Sequence, residues 1–217
     1  MEVDLNLLER WLTGWSLARG VPLPQRRDGG LVVEVGWPEQ LRRHVFVDAG
    51  AALTACAAQI QVPFIHLKAA VMTDQLRHAL PARWQLQAPG YLMYRSAAMD
   101  KAVLLPPGLI EHQDAEHGAT RIRFIDSRGE IAAAGRVVIK HGTAVFDRIE
   151  TLESYRRTGL GTVMMAKLDA VAQHAGACER LLVATDAGSQ LYLNLGWQIL
   201  SPYSTGQLPA PLSLRHQ

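Results

Sequence analysis

Apolar residues near the start of the chain recur at helical spacing. Leu5, Leu8, Trp11, Leu12 and Trp15 share one face, with Glu9 and Arg10 off it, which predicts an amphipathic helix over residues 3–19. The two tryptophans read first as a core stripe and second as a ligand wall. Asp4 suits the N-cap and Gly20 the stop, ahead of Pro22 and Pro24. The rhythm then shortens. Asp28-Gly29-Gly30 reads as a turn, 31–35 and 44–47 as strands, and the small apolar run 51–58 as a helix. Residues 63–68 read as a strand, 73–80 as a helix, and 84–94 as a long strand broken near Pro89-Gly90. Residues 97–118 show little periodicity and hold Pro106-Pro107-Gly108, so they read as a loop-rich connection and a domain boundary.

Beyond that point the pattern sharpens. Strands at 121–125, 131–139 and 144–152, joined by tight turns, predict an antiparallel meander. Leu160, Val163, Met164, Leu168, Val171, Ala172 and Ala175 then share a helical face that Gly176 ends. Residues 181–185 read as a strand buried on both faces, 189–195 as a short helix stopped by Gly196, and 197–200 as a last strand. From Tyr203 onward a polar, proline-containing tail is expected to drape over the surface. The predicted class is α/β, with a mixed α+β sheet.

Composition narrows this little. Hydrophobic residues make up 48% of the 217 and charged ones 19%, the balance of a folded chain. Net charge is +2, too even to argue for nucleic acid or a membrane surface. The doublets Arg26-Arg27, Arg42-Arg43 and Arg156-Arg157 read as solvated faces before they read as patches. Cys56 and Cys178 lie in apolar settings and are expected to be buried free thiols; no Cys-x-x-Cys or Cys/His ligand spacing occurs, so no metal is expected. The acidic, amphipathic N-terminus is not a signal peptide and no apolar run reaches membrane-spanning length, so the cytoplasm is the default compartment.

The chemistry concentrates at residues 155–164, YRRTGLGTVM, between a strand and a helix N-terminus. Glycines allow close backbone approach, the first helical turn offers unpaired N–H groups, and Arg156 and Arg157 add charge, a combination suited to phosphate. A P-loop fails, because Gly161 is followed by Thr162-Val163 instead of Lys-Ser/Thr. A dinucleotide fingerprint fails, because Met164 stands where the third glycine belongs.

Arg156-Arg157-Thr158-Gly159-Leu160-Gly161 instead resembles R-x-x-G-x-G, the pyrophosphate loop of the GNAT superfamily of N-acetyltransferases. Leu191-Tyr192-Leu193-Asn194-Leu195-Gly196-Trp197 is similar to that family's second signature, and the meander before the loop is in the expected place. The resemblance covers about 121–200. It departs from the pattern at Thr185 and Gly188, where the family often has Asn and Ala, and in nearly a hundred residues that precede it. The chain thus divides into an N-terminal α/β lobe, 1–96, and a GNAT-like acetyltransferase domain, 97–217. The N-terminal lobe stays open between a degenerate second GNAT-like unit (ALPARWQLQ beside LNLGWQILS) and an unrelated cap.

The resemblance implies an enzyme that transfers acetyl from acetyl-CoA to a primary amine by direct attack. It implies that Arg156, Arg157, Thr158, Gly159, Leu160, Gly161 and Thr162 hold the pyrophosphate. Ile149, Glu150 and Thr151, on a strand that splays from its neighbour, would pair with the pantetheine arm. Tyr192 stands at the position that often protonates the leaving thiol, with packing against the cofactor or core as its alternative. Asp147 and Glu150 are candidate bases, expected on opposite strand faces barring a bulge. Partners implied are acetyl-CoA and an amine, without nucleic acid or membrane; a homodimer is compatible with the pattern. A transferase of another acyl group and a non-catalytic acyl-CoA-binding module remain as rival readings. The amine should lie between the two halves, near residues such as Trp37, Trp84 or Tyr94.

Overall fold

The structure, a computed structural model, describes residues 2–99 and 103–210. The elements run α1 (Leu5–Arg19), β1 (Gln25–Arg27), β2 (Gly30–Trp37), β3 (Gln40–Phe46), α2 (Ala51–Gln59), β4 (Ile65–Ala69), α3 (Thr73–Ala79), β5 (Gln85–Leu86) and β6 (Gly90–Arg95). There follow β7 (Leu109–Glu116), β8 (Ala119–Asp126), β9 (Ile131–Lys140), β10 (Thr143–Thr151), a 3-10 turn (Glu153–Tyr155), α4 (Leu160–His174), β11 (Glu179–Thr185), α5 (Asp186–Asn194) and β12 (Gln198–Gln207).

All strands form one mixed sheet in the order β1-β2-β3-β4-β12-β6-β11-β10-β9-β8-β7, with β5 also on β12. The connectivity β3-α2-β4, parallel, recurs as β10-α4-β11, parallel. Beside β4 lies the second half of β12 and then β5; beside β11 lies β6 and then the first half of β12. One strand therefore belongs to both halves, and β6 sits in the second. A cut after residue 96 does not separate the two parts of the sheet.

Two predicted segments differ. The connection at 97–118 contains β7, an edge strand paired over its whole length with β8. Its polar residues hid it: Asp114 accepts from Arg121 (2.8 and 2.9 Å) and from Arg123 (2.7 Å), an ion-pair ladder where an apolar stripe was expected. The tail after Tyr203 is not draped either. Residues 203–206 are buried in β12, because the hydroxyls of Ser201 and Ser204 donate to the carbonyls of Ala70 and Val71 (2.7 and 2.8 Å). Of the two thiols expected to be buried, Cys178 is exposed, in the turn after α4 beside Gly142, and Cys56 is half-buried.

The sheet is covered on both faces. Val145 and Leu181 face α1, whereas Phe146 and Leu182 face α4, which is why β11 reads as a continuous apolar run. Asp4 caps α1, its Oδ1 accepting from Leu7 N at 2.7 Å, and Gly20 closes it in the left-handed region. Trp11 and Trp15 are core residues, as their spacing predicts. Gly14 is the close-approach point: a Cβ there would overlap the Val145 side chain. Among the described residues no helix is long and apolar enough to cross a membrane, and no cluster of three or more His, Cys, Asp or Glu could hold a metal ion.

Two predictions follow from this packing. Gly14→Ala improves helix propensity yet is expected to destabilise the protein by about 1–3 kcal/mol, since α1 must lift off β10. In a urea-denaturation double-mutant cycle, part of that loss should disappear when Val145→Ala is added. The second concerns His44 and His66, whose Nε2 atoms are buried without partners. Burial, with Arg42 near one ring and Lys68 near the other, lowers each pKa to about 4. The unfolded chain binds these protons as pH falls through about 6.5, the folded chain only near 4. Their contribution is thus complete above pH 6.5 and is lost on acidification toward 4. Urea midpoints should fall between pH 6.5 and 5 with a slope near two protons; a flat profile would contradict this.

Candidate active site

β10 and β11 pair for three residues, from Thr143↔Glu179 to Val145↔Leu181, and then part. β10 stays on β9 and β11 stays on β6. The divergence coincides with a bulge in β10 between Asp147 and Glu150, where Arg148 adopts φ +51°. A non-glycine residue in that region costs about 1 kcal/mol or more. The bulge resets side-chain alternation. Ile149 joins Phe146 in the core under α4, while Asp147 turns toward α1, accepting from Arg19 at 2.7 and 2.9 Å. Alternation from Ile149 then brings Glu150 to the α1 face as well. The expectation of opposite faces for these two carboxylates is overturned by the bulge.

The glycine loop is braced from both ends. Tyr155 donates to Asp126 Oδ2 at 2.7 Å, and that bond holds the carboxyl well below the usual range. Arg157 (φ +66°) and Gly159 (φ +86°) bend the backbone into a left-handed pair before α4. Such a turn points successive N–H groups to one side; among the described residues no backbone carbonyl accepts from those of Arg157, Thr158, Gly159, Leu160 or Gly161. Gly159 has open space where a Cβ would stand, and at Gly161 a Cβ would come 2.8 Å from Leu191. The Thr158 hydroxyl donates to Tyr155 O at 2.7 Å and Arg156 Nε to Thr151 O at 3.3 Å. The loop is thus a concave set of donors with two exposed guanidinium groups at its rim.

α5 begins where β11 ends. The departures at Thr185 and Gly188 serve each other: Thr185 Oγ1 accepts from Gly188 N at 3.1 Å as the N-cap. On this helix Tyr192 is 7% exposed, its ring edge-on to Trp197, which is edge-on to Phe146. Burial, then the Asp147 carboxylate, raise its pKa to about 12. The phenol is therefore protonated at neutral pH.

A profile of the Acetyltransferase (GNAT) family matches residues 82–197, more than half of the chain. The chain belongs to the GNAT family. The fold agrees over nearly its whole length with a GCN5-related N-acetyltransferase from Kribbella flavida (TM-score 0.67, 15% identity, 98% of each chain covered). It also agrees with a GCN5-related N-acetyltransferase-like protein from Streptococcus suis (TM-score 0.58, 12% identity, 94% of this chain and 97% of that one). A functionally unknown conserved protein from Staphylococcus epidermidis is similar too (TM-score 0.61, 11% identity, 86% and 93%). At these identities the likeness is one of fold. No curated protein sequence matches the chain at a significant level. Family membership makes this GNAT protein an acyltransferase, with the splayed β10–β11 edge beside the donor loop.

Across the splay from the loop lies a cavity of about 230 Å³. Its wall includes Trp11, Trp15 and Arg19 of α1, Arg43 of β3, Lys68 of β4, Asp147, and Tyr203 of β12. Sequence reasoning passed over Arg43, Lys68 and Tyr203. The doublet Arg42-Arg43 is split by strand alternation: Arg42 pairs with Glu34 at the surface (2.6 Å), whereas Arg43 is 7% exposed, its guanidinium 3.7 Å from the Trp15 ring centroid. Of the aromatic residues expected near the acceptor, Trp84 instead faces the core under α2, donating to Ala57 O at 3.2 Å.

The closed end of the splay is pinned by an ion pair between Arg180 of β11 and Asp169 of α4, each 1% exposed. Asp169 also accepts from Met99 N at 2.6 Å, and Arg180 donates to Ser96 O at 3.2 Å. Asp169→Ala leaves a buried guanidinium without its partner and is expected to cost about 3–5 kcal/mol in urea denaturation. The double variant Asp169→Ala, Arg180→Met should be less destabilised than the single one; equal or greater loss would show that the charge is not the source.

Proposed function

We propose that the protein transfers the acetyl group of acetyl-CoA to a primary amine by direct attack. The observation that carries this reading is the coincidence of two incomplete backbone surfaces: the N–H groups of residues 157–161 and the β10 edge that β11 abandons after Val145. The first fits a pyrophosphate and the second an extended amide-containing arm, which would pair along Ile149, Glu150 and Thr151 as an added strand.

When bound, acetyl-CoA supplies an acetyl group activated as a thioester. Arg157, Thr158, Gly159, Leu160 and Gly161 offer backbone donors, and Arg156 and Arg157 offer charge. Thr162 sits on the first turn of α4, and Thr158 contributes its N–H, its hydroxyl proton being committed to Tyr155. An N–H of the β10 edge polarises the thioester carbonyl. The acceptor gives one ammonium proton to solvent before attack; its nitrogen then forms the C–N bond as the C–S bond breaks. The second proton passes from the nitrogen to water, and Tyr192 delivers its phenolic proton to the departing sulfur, the phenolate recovering a proton from solvent. Asp147 lines the cavity on the α1 side, which supports it as the carboxylate nearer the amine, with Glu150 next along the same face as the alternative.

Calorimetry with acetyl-CoA, followed by thiol release with primary amines, tests the reading. Acetyl-CoA should bind, and Gly159→Ala, which places a side chain at φ +86°, should weaken that binding by roughly tenfold. Tyr192→Phe should retain acetyl-CoA affinity and lower kcat by about 10²-fold or more. With the phenol near 12, no alkaline limb assignable to Tyr192 should appear below about pH 10. Absence of binding would sink the proposal. Binding without thiol release from any amine would point to an acyl-CoA-binding module.

A further inference from the structure

The cavity beyond the splay carries an imbalance of charge. Its wall holds three cations, Arg19, Arg43 and Lys68, against one carboxylate, Asp147, a net of +2. Arg19 spends its fork on Asp147. Among the described residues neither Arg43 nor Lys68 is in an ion pair. Arg43 is more than nine-tenths buried and has an Nε–H without an acceptor, its Nη2 going to Gln40 at 3.2 Å. Lys68 uses one of its three donors on Thr205 Oγ1 at 2.7 Å. It keeps some accessible surface yet is enclosed by protein, the combination that a cavity wall produces. The Tyr203 hydroxyl, between them in the wall, is buried and unpartnered.

Unpaired buried donors and like charges side by side are costly. Burial, then repulsion from Arg43 and Arg19, pushes the Lys68 ammonium well below its ordinary range, and burial lowers the Arg43 pKa to about 10. An anion placed between them would relieve that repulsion and offer an acceptor to the two unused Lys68 protons, beside the unpartnered Arg43 Nε–H and Tyr203 hydroxyl. The cavity is also small, below the usual 300–1,000 Å³ of drug-sized sites. It has room for an amino-acid-sized molecule.

We propose that the acceptor is a small amine bearing a carboxylate, an amino acid or close analogue, whose carboxylate lies between Arg43 and Lys68 with its amino group toward Asp147. This rests on the acetyl-transfer reading above. A cavity wall of net positive charge that also holds one carboxylate suits a zwitterion, and Trp11 and Trp15 line the same cavity.

The test uses the full-length protein saturated with acetyl-CoA, whose binding is first measured by calorimetry. Thiol release is then followed with each of the common amino acids, the matching carboxamides and decarboxylated amines, and the phosphonate analogues. At least one amino acid should be acetylated with kcat/KM about 10- to 100-fold above its amide and its decarboxylated amine, the scale of one or two charge-assisted hydrogen bonds. Lys68→Met should remove most of that preference through KM, leaving acetyl-CoA affinity unchanged. Arg43 stacks on Trp15 and its removal endangers folding, so the wild-type comparison of acid with amide carries the result independently. If acetyl-CoA binds but amides or decarboxylated amines are used as well as the acids, or phosphonates better, or no amino acid is used, the proposal is overturned while the acyl-CoA reading stands. If acetyl-CoA does not bind, it is the underlying reading that has failed.

Discussion

Backbone amides in a sheet interior must be paired, and in this protein two neighbouring parallel strands stop pairing after three residues. Everything around β10 and β11 is arranged to tolerate that gap. On one face α1 spans it, with Arg10 bound to Glu179 of β11 (2.6 Å) and Arg19 to Asp147 of β10. On the other face α4 is fixed to β11 through Asp169 and Arg180. The bulge at Arg148 makes the departure abrupt instead of gradual. Strands held this way cannot close on each other, so the unpaired edge persists.

The electrostatics of the two sides of the gap are divided in a way the sequence disguises. The glycine loop is positive at its rim and solvated, so its arginines bring charge at little desolvation cost. The cavity on the α1 side is positive within its wall, where Arg19 is paired with Asp147, Arg43 lies on the Trp15 face and bonds Gln40, and Lys68 bonds only the Thr205 hydroxyl. Asp147 sits where both regions feel its charge: it opposes ionisation of Tyr192 and supports the charge on Arg43. Its pairing with Arg19 ties that central charge to α1, so the helix that packs the core also sets the polarity of the site.

Much of this was legible in the chain itself. α1, α4 and the meander announce themselves because each has one strongly apolar face, and the glycine loop because few backbone geometries need Gly-x-Gly before a helix. What escaped has a common cause, the use of polar residues where burial was not expected. β7 is an edge strand held by Asp114 and its arginines. The second half of β12 buries Ser204 and Thr205 against backbone and Lys68. Arg43 occupies a strand position on the face of Val45, where alternation would put an apolar residue, and no local pattern distinguishes it from the surface-paired Arg42 beside it; Lys68 reads as the outward, polar member of Ile-His-Leu-Lys-Ala. The bulge at Arg148 left no mark either, since the residue in the left-handed region is not glycine.

The sharing of β12 also has a consequence for the order of events during synthesis. β4 takes as its neighbour Ser204–Gln207, a segment made long after β4 itself has left the ribosome. Until then the edge of β4 lacks its neighbour, and an open strand edge invites pairing with other chains. The N-terminal half is therefore committed to wait, and the cavity on the α1 side, which needs Arg43 and Lys68 from the early half and Tyr203 from the late one, is among the last features of the molecule to come into being.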